Sequence, residues 1–247
     1  MGKAITWSGV MGAAMRLPGV RVDREKFLSQ AFAPYGVGEG EFATHMPGEM
    51  VPPEVVDRVA GKVIARHTRL VTLTSTAAGM PGGLALIGTI PADIAQFYWH
   101  FLVMAQKLAY LYGWPDISDE SEELGEGARG VLTLFVGVAL GAGGAVSLVR
   151  EVAEQAAKQY ARTLSQQVLT QTSLHPVMKQ VASYIGIKLT HDGAGKAVGK
   201  VIPLVGGVIS GSLTFATFRP MASRLRKELR ALAKERAEGT VAENAKG

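Results

Sequence analysis

Four side chains on one stretch have the types needed for chemistry: Asp93, Gln96, His100 and Lys107. They interrupt "TIPADIAQFYWHFLVMAQKLAYLYGWPD", residues 89–116, which is otherwise apolar nearly all the way round. On a helix, at about 100° per residue, the four fall within about 60° of one another. An acid, an amide, an imidazole and an amine therefore form one narrow line. Polar groups on a buried line must be satisfied by one another or by neighbouring helices. The first reading is structural: Asp93 at the positive helix start, Gln96 on a neighbouring backbone, Lys107 reaching solvent. The second is a ligand or acid–base site in which His100 titrates between Asp93 and Lys107.

Other signs of catalysis are thin. The chain has no GxSxG, HExxH or Walker-type loop. "GVGEG" and "GAGG" are glycine-rich but follow no predicted strand. The five histidines (His45, His67, His100, His175, His191) lie far apart without metal-ligand spacing, so neither a metal nor another cofactor is expected. The absence of cysteine excludes disulfides, cysteine-based zinc sites and thiol nucleophiles, and fits the cytoplasm.

Helices must position these residues, because no useful period-2 alternation and no repeat of 20–50 residues occurs. Asp23 is an N-cap for a short helix beginning "REKFLSQAF". Pro53 opens a longer one, with Val55, Val56, Val59, Val63 and Ile64 on one stripe. "GMPGGLALIGTIPAD" breaks it. Thr89 can cap the central helix, which should run about 22 residues until Gly113, Trp114 and Pro115 stop it. Asp119, with Glu122 three residues on, marks a further start. Gly141, Gly143 and Gly144 predict a hinge. The expected architecture is all-α: one multi-helix bundle with glycine-rich apolar central helices. Residues 1–21 read as an apolar lead-in, 22–235 as the helical domain and 236–247 as a disordered polar tail.

Three stretches, 70–92, 130–149 and 201–218, lack charge and approach transmembrane length. Their Gly, Ser, Thr and Pro content favours buried core helices, with membrane spanning as the alternative. No convincing signal peptide precedes them. The net charge of +5 is unevenly spread. Residues 115–128 hold only acids among their charged groups, whereas "FRPMASRLRKELRALAKERAEG" is basic and amphipathic. Arg219, Arg224, Arg226, Lys227, Arg230 and Lys234 are its candidate contacts to an anionic surface. Nucleic acid fits less well, since no aromatic side chain is interleaved among these bases.

"VDREKFLSQAF", "GMPGGLALIGTIPADIAQFYWHFLVMAQKLAYLYGWPD" and "GKVIPLVGGVISGSLTFATFRPMASRLRKEL" resemble the EcsC-type bacterial family. The likeness is to the branch often labelled bacteriocin class II, and it covers about residues 22–232. It implies an all-helical bacterial protein with membrane links and supplies no catalytic residues. Residues and resemblance together predict a non-catalytic binding protein, cytoplasmic and peripheral to the inner membrane face. Its expected partner is an anionic membrane surface or a membrane protein complex, with oligomeric state left open. The alternative is a soluble enzyme, or a lipid- or small-molecule-binding protein, using the seam on the 91–113 helix. A third reading is a membrane-active toxin.

Overall fold

The computed structural model describes residues 6–78, 86–87, 90–117, 124–158, 177, 179–181, 183 and 211–244. It is an all-α bundle. Its α-helices are α1 (Trp7–Met15), α2 (Arg24–Phe32), α3 (Pro47–Met50), α4 (Pro53–Ala78), α5 (Ala92–Leu111), α6 (Glu126–Leu140), α7 (Ala145–Lys158) and α8 (Gly211–Asn244). Two 3₁₀ turns, Ala33–Tyr35 and Glu41–Ala43, lie between α2 and α3. A two-residue antiparallel pairing, Leu86–Ile87 with Ile90–Pro91, is the only strand structure among the described residues.

Local chemistry sets the ends. The Asp23 side chain accepts from the Lys26 amide and caps α2, as its sequence position predicts. After α5, Gly113 takes φ +78°, donates its N–H to Tyr110 and leaves the Trp114 N–H on Ala109. Gly141 repeats this arrangement after α6: its own N–H reaches Val138 and that of Ala142 reaches Gly137. Both turns need a left-handed residue, and glycine adopts it without strain. The glycines predicted as a hinge are thus a helix stop between α6 and α7.

From Gly130 to Leu140, α6 is buried on every side, as an uncharged stretch of this composition requires. At Gly137 a Cβ atom would come within 2.9 Å of Val177 and 3.1 Å of Ala145, so the small residue admits a close neighbour. Helix α5 is the other core element, with α4 and α8 packed against it. Asp57 of α4 meets Tyr112 just after α5, while His67 of α4 meets Lys107 and His100. Helices α4 and α5 are therefore antiparallel. Phe218 lies against Phe97 and Phe101, and Arg226 reaches Tyr112, so α8 runs alongside α5 in the same sense.

Two boundaries differ from the sequence reading, and a third cannot be compared with it. Residues 7–15 are no lead-in: Trp7, Val10, Met11, Ala13 and Ala14 are buried in the core. Trp7 donates to Thr133 at 3.1 Å and stands edge-on to Tyr98. A single tryptophan with a partner for its indole N–H is enough to draw a short apolar helix inward. Helix α8 continues to Asn244, beyond residue 236 where the polar tail was expected. The start predicted at Asp119 lies outside the described residues, and the described helix begins at Glu126. No described helix is long and apolar enough to cross a membrane.

Candidate functional site

Two residues of the α5 stripe, His100 and Lys107, meet a partner from α4. His67 is buried (3% exposed), and its ring centroid is 5.7 Å from that of His100, edge to face. Lys107 Nζ lies 3.4 Å from His67 Nε2 and 5.6 Å from the centre of the Phe27 ring. Trp99 packs edge-on against His100 at 4.7 Å. Gln96 is half-buried on the same helix, whereas the side chain of Asp93 lies outside the described residues. The histidine expected between Asp93 and Lys107 thus faces a second histidine.

Burial controls the electrostatics. It pushes His67 from 6.5 down to about 3, and the charges of Lys107 and Arg66 push the same way. His100 falls to about 4, again by burial first and Lys107 second. Lys107 is itself lowered by burial and by Arg66. Both imidazoles are therefore neutral at pH 7. An ammonium can only donate, so His67 Nε2 accepts and the ring proton sits on Nδ1. That Nδ1, and Nδ1 of His100, are buried without a hydrogen-bond partner among the described residues. The Lys107 ammonium opposes a metal ion at the two imidazoles, and no three metal-type ligands converge among the described residues.

A second polar cluster lies about three turns earlier on α4. Tyr112 donates to Asp57 Oδ1 at 2.8 Å. Arg226 donates from Nε to Tyr112 Oη (3.1 Å) and from Nη2 to the Asp57 carbonyl (2.9 Å), with Asp57 Oδ1 at 3.3 Å. Arg230 pairs with Asp57 Oδ2 at 2.6 Å. Burial raises Tyr112 to about 12.

This cluster redirects the basic helix. Arg226 and Arg230 are tied to Asp57, and Arg224 donates to the Ala139 carbonyl near the end of α6. Lys234 faces Glu238 at 3.7 Å with both side chains exposed. Lys227 and Arg219 are exposed, and Arg219 lies over Phe215 at 5.7 Å. Sequence alone sees the positive charge but not the acceptors that take up three of the arginines.

Another basic face was not singled out from the sequence. On α4, Arg66, Arg69, Leu70 and Leu73 are all exposed, Leu73 by 63%. The i, i+3, i+4, i+7 spacing puts them on one side of the helix. Phe215 is exposed near the start of α8, one turn from Phe218, which packs on the first half of α5. The antiparallel course of α4 brings its C-terminal half to this same end. The signal for His67 was also present: three and four residues after Ile64 and Val63, it continues the apolar stripe of α4.

Gln106 was missed as well. Fully buried, it donates to the Val20 carbonyl at 2.7 Å and accepts from the Val22 amide at 3.1 Å. Its amide pairs with the chain as a neighbouring strand would, fixing the segment between α1 and α2 on α5. Between α2 and residue 116 an open depression is lined by Arg21, Asp23, Arg24, Glu25 and Asp116. Arg24 is committed there to the carbonyls of Phe42 and Trp114. Comparison with family models, curated proteins and solved structures finds no match to the chain.

Proposed function

We propose that this chain is an EcsC-type helical protein that attaches peripherally to an anionic membrane surface and acts by binding. The observation that carries this reading is the face of Arg66, Arg69, Leu70 and Leu73 on α4. Two arginines and two exposed leucines on one side of a helix suit the boundary between headgroups and acyl chains. The leucines enter, and the guanidinium groups stay with lipid phosphates. Phe215 and Arg219 offer the same pairing at the same end of the bundle. With Arg224, Arg226 and Arg230 engaged with acceptors of the protein itself, the contact shifts toward this end of the bundle. The mode is attachment and not spanning, because no described helix is long and apolar enough to cross.

Co-sedimentation with phosphatidylglycerol and phosphatidylcholine vesicles tests it. Binding should require the anionic lipid and weaken as salt rises, since surface attraction is screened over about 10 Å at 0.1 M salt. The variant Arg66→Glu/Arg69→Glu should lose affinity by at least about tenfold, at roughly 1 kcal/mol per charge near the surface. Wild-type protein that ignores phosphatidylglycerol vesicles at low salt would sink the reading.

A further inference from the structure

We propose that the cluster of His67, His100 and Lys107, with Arg66 at its edge, is a binding site for a phosphate-type oxyanion. The inference shares Arg66 with the exposed face of α4 but otherwise rests on the seam beneath it.

Hydrogen-bond supply carries the first part. The cluster holds the three N–H groups of Lys107 and the Nδ1–H of His67, against one acceptor in use, His67 Nε2. The Nδ1 atom of His100 is likewise unpartnered among the described residues. A neutral His100 adds one donor and one acceptor, so donors still outnumber acceptors, and an oxyanion consists of acceptors. Charge carries the second part. Arg66 and Lys107 are cations, Lys107 lies 3.4 Å from His67, whose ring meets that of His100 at 5.7 Å, and Phe27 is what α2 presents to the ammonium. Among the described residues no ion pair reaches Lys107. A half-buried ammonium without a carboxylate is an expensive arrangement unless an anion completes it. Two cations from neighbouring helices match the multiple charge of phosphate better than a single carboxylate does.

The imidazoles then make the site responsive to protons. They are neutral because they are buried and, among the described residues, the charges acting on them are positive. An oxyanion reverses the sign of that field and raises the pKa of both rings. Binding therefore takes up protons, and affinity should rise as pH falls, by up to about tenfold per unit for each proton taken up.

The test is NMR of protein with isotope-labelled histidine imidazoles. Inorganic phosphate should shift the His67 and His100 nitrogens saturably, while chloride at equal ionic strength does not. Sulfate, whose charge is constant between about pH 5 and pH 7, should bind tighter at the lower pH. Lys107→Met should abolish the shifts and Lys107→Arg should keep them. Circular dichroism of both variants separates loss of binding from loss of fold. A second arm uses phosphatidylglycerol vesicles with wild type and with Arg69→Glu/Leu73→Glu, which leaves Arg66 in place. Shifts with free phosphate assign a soluble ligand; shifts with vesicles alone assign a lipid headgroup. Saturable phosphate shifts in a protein that ignores vesicles would keep this site and discard membrane attachment. Vesicle binding with both histidines unmoved by phosphate, sulfate and lipid would overturn the site and leave attachment standing.

Discussion

Two polar clusters bridge α4 and the α5 region about three turns apart, and they are built in opposite ways. Around Asp57 every group has a complement: the carboxylate meets two guanidinium groups and a phenol, and the phenol both donates and accepts. Around His67 the charged groups among the described residues are two cations, Lys107 and Arg66, and the neutral imidazoles leave two ring nitrogens without a partner there. A closed network of opposite charges in a partly buried setting is what holding helices together requires. An open one of like charge opposes folding, so its persistence calls for an explanation outside the fold. The difference separates a structural polar cluster from a candidate site on one pair of helices.

Acid breaks the comparison most strongly. Both histidines have folded pKa values below 6.5, so the unfolded chain binds more protons between pH 6.5 and about 3. Their contribution is present above pH 6.5 and lost as pH falls through about 4 and about 3. Urea unfolding across this range should show a fall of up to about 8 kcal/mol from the pair. His67→Gln/His100→Gln should flatten that slope. An unchanged slope would mean that the histidines are not desolvated in solution.

The next effect compares one residue from each cluster. Asp57→Ala strands Arg226, Arg230 and Tyr112 and should destabilise by about 2–4 kcal/mol in urea melts. Lys107→Met removes an uncompensated cation and replaces it with an apolar chain of similar length. It should be neutral or stabilising by about 1 kcal/mol. Equal losses from the two substitutions would make the histidine cluster as structural as the other.

How far this contrast can be read from sequence depends on how local each signal is. The α2 cap at Asp23, the stop at Gly113 and the burial of α6 follow from neighbouring residues, and they stand as expected. The line of His100 and Lys107 on one face of α5 was visible for the same reason. Its meaning was not, because His67 comes from another helix and the register of α4 on α5 is decided by packing. The charge of Arg226 is plain in sequence, while its partner Asp57 is 169 residues away. Gln106 and α1 escaped for a related reason: each is placed by hydrogen bonds to a distant segment, Gln106 to Val20 and Val22, Trp7 to Thr133.

Alkali sharpens the other side of the comparison. Tyr112 has a folded pKa of about 12 against 10.0 unfolded, so the folded state retains its proton longer. Its contribution is full below pH 10 and lost as pH rises toward about 12. Tyr112→Phe should cost about 1–2 kcal/mol at pH 7, leaving Asp57 one donor short, and should weaken the alkaline fall. A variant as stable as wild type would show that the two arginines satisfy Asp57 alone.

The smallest effect lies within that cluster. Arg230 makes the shorter contact to Asp57, 2.6 Å against 3.3 Å for Arg226, yet its side chain is 63% exposed and that of Arg226 30%. If distance governed, Arg230 would matter more; if desolvation governs, Arg226 does. Solvent screens an exposed pair and the long side chain loses freedom in holding one geometry, so Arg230→Gln should cost no more than about 0.5 kcal/mol. Arg226→Gln also removes bonds to Tyr112 and to the Asp57 carbonyl and should cost about 1–2 kcal/mol. Urea melts of the two variants rank the effects directly. A larger loss from Arg230 would mean that its guanidinium is more shielded in solution than its exposure indicates, and that Asp57 depends on the outer arginine.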